Sequence, residues 1–379
     1  MKIGIITLPF NANYGGLLQA YALQSVLKQM GHDVLTVNRL TRGMPLKMKV
    51  LSLGRRLILR LFFQKKVVVR TWPTAKEESI TNQHTNRFIT ENIRTTELIG
   101  SERHFSRLEK YSFDAYVVGS DQVWRPKYSP CLNNHFLGFL GHNSKIKRIS
   151  YAPSFGVENW EYTPKQTSEC SLLAKKFVAI SVREDSAVDL CKKHLGVDAV
   201  QALDPTLLVS KEEYVKLVEN DNIPKLGGTL LTYVLDLTPE KKGIIQSVMD
   251  ELNLVPVSVM PKSLFKEAGS RKLENCIFPP VTEWIRGFMD AEFVVTDSFH
   301  GTVFSIIFNK PFLAVGNSKR GMNRFASLLR MFDLEDRLIL TADDMKRIKL
   351  NTPIDFGKVN LTLKNKQQQA LSFLNNSLK

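Results

Sequence analysis

Cysteine is scarce: four in 379 residues, none at CxxC spacing, so no zinc site is expected, and a chain of this size does not need the two disulfides that four could make. Cys131, Cys170, Cys191 and Cys276 are expected as buried thiols in a reducing compartment. Long apolar runs are missing as well. None approaches the roughly 18 residues that a bilayer crossing needs. The opening MKIGIITLPF has one lysine and no long apolar core before a cleavage site, so no secretory signal is expected and the reading is a cytoplasmic protein. Also absent is GxGxxG, which disfavours a bound dinucleotide. No metal-ligand cluster is visible, and neither a metal nor a resident cofactor is expected.

What is present is ordinary in bulk and unusual in charge. Hydrophobic content of 43% and charged content of 23% are those of a soluble globular protein, and the length suits two domains. The formal charge of +15 calls for an anionic partner: nucleic acid, a membrane surface or an anionic substrate. Nucleic acid is not expected, because no aromatic-basic strand pattern or recognition-helix signature accompanies the charge. Residues 42–70 carry nine Lys or Arg and no acid, interleaved with Leu, Ile, Phe and Val. Such a segment suits lying on an anionic bilayer; equally, it suits an amphipathic helix packed on its own domain.

The first 40 residues read as strand (3–7), glycine turn, helix (15–30) and strand (34–37), a Rossmann-like βαβ start. Buried-strand patterns recur at 115–119, 148–152 and 177–182, then at 229–235, 255–260, 293–297 and 312–315. LDPTLLV (203–209) reads as a further strand broken by its proline. The expected fold is α/β, with two Rossmann-like lobes in a GT-B-like arrangement around a central cleft. The lobes span residues 1–210, with a basic apolar insertion at 42–72, and 211–379 with a C-terminal helix.

Ligands of such sheets collect beyond the carboxyl ends of the strands, so the residues there are the site candidates. After the first strand stand Asn13, Gly15 and Gly16, glycines at a helix start where backbone N–H groups can approach an anion. Ser120, Asp121, Gln122 and Trp124 follow the 115–119 strand; the polar groups suit sugar hydroxyls and the indole an apolar ring face. Arg183 ends a strand as a fork for carboxylate or phosphate, beside Glu184. In the second half, Ser298 and His300 open a helix, with the imidazole suited to proton transfer. Arg320, Asn323 and Arg324 follow the last strand as a cationic pocket.

NYGGLLQAYAL, VVGSDQVW, ISYAPSFG, SVRED, LDPTLL and TDSFHGTVFSIIFNKPF, in this order, resemble the polysaccharide pyruvyl transferase family over roughly residues 1–330. The resemblance implies a GT-B-like fold and transfer of pyruvate from phosphoenolpyruvate, the donor substrate, onto a sugar as a cyclic ketal. It also implies an acceptor carried on polyprenyl diphosphate, assembled at the inner face of the cytoplasmic membrane. The family signature near the catalytic histidine is often Arg-x-His; here His300 is retained and Ser298 replaces the arginine. Arg320 or Arg324 is expected to supply the missing charge. By the resemblance Arg183 binds substrate. For the reaction so implied, His300, Arg183 and Asp121 are the expected catalytic residues, and Asp121 and Glu184 are the candidates for holding or deprotonating the acceptor. The first lobe is expected to hold the acceptor and the second the donor. A glycosyltransferase on the same architecture is the alternative; it would use an acidic residue such as Glu283 or Asp290 to hold a ribose.

Overall fold

The computed structural model describes residues 1–40, 45–63, 67–129, 131–142, 145–317 and 321–379. Two all-parallel sheets organise them. The first holds β1 (Lys2–Ile6), β2 (Asp33–Thr36), β3 (Ala115–Val118), β4 (Lys147–Ser150), β5 (Ala179–Val182) and β6 (Val200–Gln201), ordered β2-β1-β3-β4-β5-β6. The second holds β7 (Leu230–Tyr233), β8 (Pro256–Val257), β9 (Phe293–Thr296), β10 (Phe312–Val315) and β11 (Leu338–Ile339), ordered β11-β10-β9-β7-β8. The molecule is an α/β protein of two Rossmann-like lobes in a GT-B-like arrangement. The sheet-centre strands AYVV (β3) and FVVT (β9) are buried at every position, as parallel strands covered on both faces must be.

In each sheet the chain leaves its first strand to one side and returns to the other. The order therefore reverses between β1 and β3, and again between β7 and β9. These are the switch points where an α/β sheet opens a crevice for ligand. Helix α1 (Tyr14–Gln29) starts just beyond β1 and is buried along most of its length. Its Tyr14 ring stacks on Trp284 of the second lobe at 5.8 Å, and its hydroxyl donates to the Pro279 carbonyl at 2.9 Å. The C-terminal helix Phe356–Leu378 crosses back to the first lobe: Phe373 lies 6.4 Å from Tyr151, and Gln367 donates to the Leu207 carbonyl at 2.6 Å. The two lobes thus share packed side chains as well as facing each other.

Two local expectations change. LDPTLLV is not a strand; Pro205–Leu208 forms a 3-10 turn, because Asp204 caps it through the Thr206 backbone N–H (2.9 Å) and proline suits a first helical turn. The basic segment does form a helix, α2 (Leu46–Leu61): one face rests on residues 67–72, where Arg56 donates to the Val68 carbonyl at 2.9 Å and Lys49 lies over the Trp72 ring, but none of its residues is buried. Leu46, Val50, Leu57 and Leu61 recur at helical spacing and stay 44–76% exposed, with Lys49, Arg56 and Arg60 along one side of the stripe. Lys65 and Lys66, which the sequence reading joins to this helix, lie outside the described residues.

Candidate active site

The carboxyl ends of β1, β3, β7 and β9 converge on one cleft of about 450 Å3 between the lobes. The first lobe contributes Asn13 and Tyr14 at the start of α1, with Asp121 and Gln122 beyond β3. The second contributes Tyr233, Ser298, His300 and Arg324. Ser298 both lines the cleft and caps the helix Phe299–Ile307, whose first turn carries His300.

Beneath the cleft lies a compact group of buried charges. Arg183, at the end of β5, reaches Asp204 at 2.7 Å and donates to the Ser120 hydroxyl at 2.5 Å. Its Nε and Nη1 make no hydrogen bond. Arg183 and Arg324 both sit over the ring of Phe299, at 4.8 and 5.4 Å, and both approach Asp121, at 3.7 and 3.8 Å. Two guanidiniums, one from each half of the chain, therefore share one carboxylate and one aromatic face. Burial pushes Arg324 down from the usual arginine range, which Asp121 opposes. A substrate anion entering here would restore some of the lost solvation.

His300 is held from both sides. Its Nε2 stands 3.7 Å from Asp204, and its Nδ1 edge presses on α1 so closely that a β-carbon on Gly15 would lie 2.0 Å away. Burial would raise the Asp204 carboxyl, but Arg183 and His300 reverse this and hold it below the usual carboxylate range. The remaining Asp204 oxygen accepts from Thr206, backbone at 2.9 Å and hydroxyl at 2.6 Å. A carboxylate placed so orients an imidazole.

The model of the polysaccharide pyruvyl transferase family matches residues 13–319, most of the chain and every residue just described except Arg324. The chain belongs to that family. No curated protein matches it significantly. Among solved structures it is similar to a UDP-GlcNAc 2-epimerase from Neisseria meningitidis bound to UDP-GlcNAc, with 11% identity, 100% of this chain and 99% of that one covered, and a TM-score of 0.48. It is also similar to SsfS6, a Streptomyces sp. SF2575 glycosyltransferase, with 12% identity, 97% and 96% covered, and a TM-score of 0.39.

In this pyruvyl transferase family member several sequence candidates prove to support the site from behind. Trp124 is fully buried, stacked on Phe136 at 4.7 Å with its N–H given to the His135 carbonyl, so no ring face is left for a sugar. Glu184 is likewise buried, accepting from the Ser154 hydroxyl; burial raises its carboxyl although Arg183 and Arg324 oppose the rise. It cannot reach an acceptor. Ser120 is enclosed too, and holds Arg183. Gly15 leaves room for an imidazole and not for an anion, while Gly16 lies off the cleft against Asn13. Asn323 ties the lobes by donating to Ser186 at 3.1 Å. Arg320 lies outside the described residues. Arg183 is set one layer behind the cleft wall, reaching it through Asp121 and Phe299.

Asp204, within LDPTLL, is a site residue that the sequence motifs alone do not single out. An acid flanked by apolar residues on both sides was the available signal, since such an acid is buried only when paired. Asp297 is committed within its own lobe, accepting from Lys241 at 2.5 Å and the Leu235 N–H at 2.6 Å. Of the acids offered for a ribose, Asp290 is held by Arg286 at 2.8 Å and the Leu226 N–H at 3.0 Å, and Glu283 does not line the cleft.

Proposed function

We propose that this protein moves pyruvate from phosphoenolpyruvate onto a sugar of a lipid-linked cell-surface polysaccharide precursor, working at the inner face of the cytoplasmic membrane. The observation that carries the reading is the Arg183–Arg324 pair around Asp121 and Phe299, next to His300. Phosphoenolpyruvate brings a phosphate and a carboxylate. Arg324 lines the cleft and meets an anionic group directly, while Arg183 adds its field from behind.

The chemistry then follows from proton balance. Protonation of the methylene carbon leaves a cationic centre at the neighbouring carbon. One sugar hydroxyl adds there and loses its proton. Phosphate departs with the electron pair of its C–O bond, a second hydroxyl replaces it, and its proton also leaves. One phosphoenolpyruvate and one diol become one ketal and one phosphate. His300 carries the proton, kept in orientation by Asp204 and by Gly15. Asp121, on the cleft wall, receives the acceptor hydroxyl.

A ligand that binds only the folded state raises its melting temperature. Phosphoenolpyruvate is expected to raise it and UDP-sugars to leave it unchanged. A shift with a UDP-sugar and none with phosphoenolpyruvate would replace this reading with nucleotide-sugar transfer.

A further inference from the structure

A second cavity lies one helical turn from the active-site cleft. The short helix Phe265–Ala268 separates the two: Leu264 at its start lines the cleft, Ala268 at its end lines the second cavity, about 6 Å further along the axis. This cavity, about 790 Å3, is bounded by Arg60 in the last turn of α2, by residues 67–70 and by residues 268–272. Among the described residues its lining holds four cations, Arg60, Arg70, Arg271 and Lys272, and no acid. Arg70 is already matched by Glu77, in two hydrogen bonds of 2.7 and 2.6 Å, and is tied to Ser270 at 2.7 Å. Arg70 thus closes the cavity wall, and the surplus positive charge comes from the other three.

The rest of the lining is apolar or small. Val67, Val68 and Val69 form one side, and Gly269 is held at φ +65 with Val68 against it, so close that a β-carbon there would lie 2.9 Å from Cγ1. Arg60 also belongs to the helix whose apolar stripe is open to its surroundings. Anion-binding and apolar surfaces are therefore continuous from the cavity to α2.

We infer that this cavity seats the phosphate or diphosphate of a lipid-linked acceptor, whose saccharide crosses the Phe265–Ala268 turn into the cleft. This rests on the reading of the cleft as the transfer site. The same chemistry could come from an anionic lipid headgroup of the bilayer, and the test separates the two.

The probe is geranyl diphosphate, water-soluble and carrying no sugar, with geraniol as its uncharged counterpart and phosphatidylglycerol vesicles as the headgroup source. Calorimetry on the full chain is expected to show geranyl diphosphate binding at least about tenfold tighter than geraniol, a comparison that needs no variant. Arg60→Gln, Arg271→Gln and Lys272→Gln together, all at exposed side chains, are expected to remove that preference. The His300→Ala variant should retain it. Equal affinities for diphosphate and alcohol, or an unchanged preference in the triple variant, overturn the assignment. So does binding of vesicles, but not of geranyl diphosphate, through these three residues. None of these readouts needs phosphoenolpyruvate or turnover. If the transfer reading fails while the diphosphate preference holds, the cavity is a lipid-phosphate site of some other reaction. If transfer succeeds without the preference, only the cavity assignment falls.

Discussion

In the proposed reaction His300 is the residue on which proton transfer turns, and its surroundings say how its loss should act. The imidazole fills the space left by Gly15 and faces Asp204 at 3.7 Å, so truncation removes chemistry without opening the sheet. His300→Ala is expected to keep the fold and phosphoenolpyruvate binding and to lower kcat by about 10²-fold or more. Turnover near that of the unaltered protein would take His300 out of the mechanism. Asp204 and Glu184, two buried carboxyls about the same arginine, should respond to pH in opposite senses. Asp204 is held low, so its contribution is present above the ordinary carboxylate pKa and lost as pH falls through the folded value. Asp204→Asn should therefore cost roughly 3–5 kcal/mol at neutral pH, with the deficit narrowing below about pH 4. Glu184 is held high, so its favourable state is the protonated one, lost as pH rises. Glu184→Gln should gain on the unaltered protein as pH rises above about 4. Denaturant titrations at several pH values check both slopes; parallel curves would mean neither carboxyl is linked to folding. His300 and Asp121 were legible as cleft residues because each follows a strand, where a parallel sheet places its site, whereas Arg183, also at a strand end, lies one layer behind. Trp124 was misread from the same position, because sequence alone does not say whether the chain beyond a strand turns into the cleft or down into the core.

Elements were more legible than residues. The strand pattern at 115–119, 148–152, 293–297 and 312–315 matches β3, β4, β9 and β10 to within two residues, since continuous apolar runs bounded by glycine and polar turns leave few alternatives. Of the two-residue edge strands, β8 falls within the apolar run 255–260, while β6 and β11 were not legible. Helix α2 was legible as amphipathic, but sequence could not say whether its apolar stripe is covered. The structure leaves it open. With five cations and no acid in the helix, and each cation near an anionic surface contributing on the order of 1 kcal/mol, α2 is expected to hold the protein reversibly on anionic vesicles. Added salt should weaken this attachment, and Val50→Glu with Leu57→Glu should abolish it. Both positions lie away from the second cavity, so transfer to a short water-soluble acceptor should survive the change. Vesicle binding that ignores salt and both substitutions would assign the exposed stripe to something other than a bilayer.

At the scale of the whole molecule, the two sheets each reverse their strand order at one point, and the lobes bring those points together. This places Asp121 and Arg183 from the first lobe against Arg324 and His300 from the second. The two-lobed plan was legible in the alternation of strands and helices. The contact of Tyr14 with Trp284 across the lobes was not, since the two lie far apart in the chain. Under the proposed function the formal charge of +15 would meet an anionic donor at the cleft and an anionic lipid surface near α2. Both bear on one central claim, that the cleft joins phosphoenolpyruvate to a sugar. The most direct measurement incubates the protein with phosphoenolpyruvate and a panel of polyprenyl diphosphate-linked saccharides, followed by mass spectrometry and a phosphate assay. The expected product gains the mass of pyruvic acid less one water, with one phosphate released for each ketal formed. A panel that stays unmodified with phosphoenolpyruvate, but is extended when nucleotide-sugars are supplied, would contradict the account.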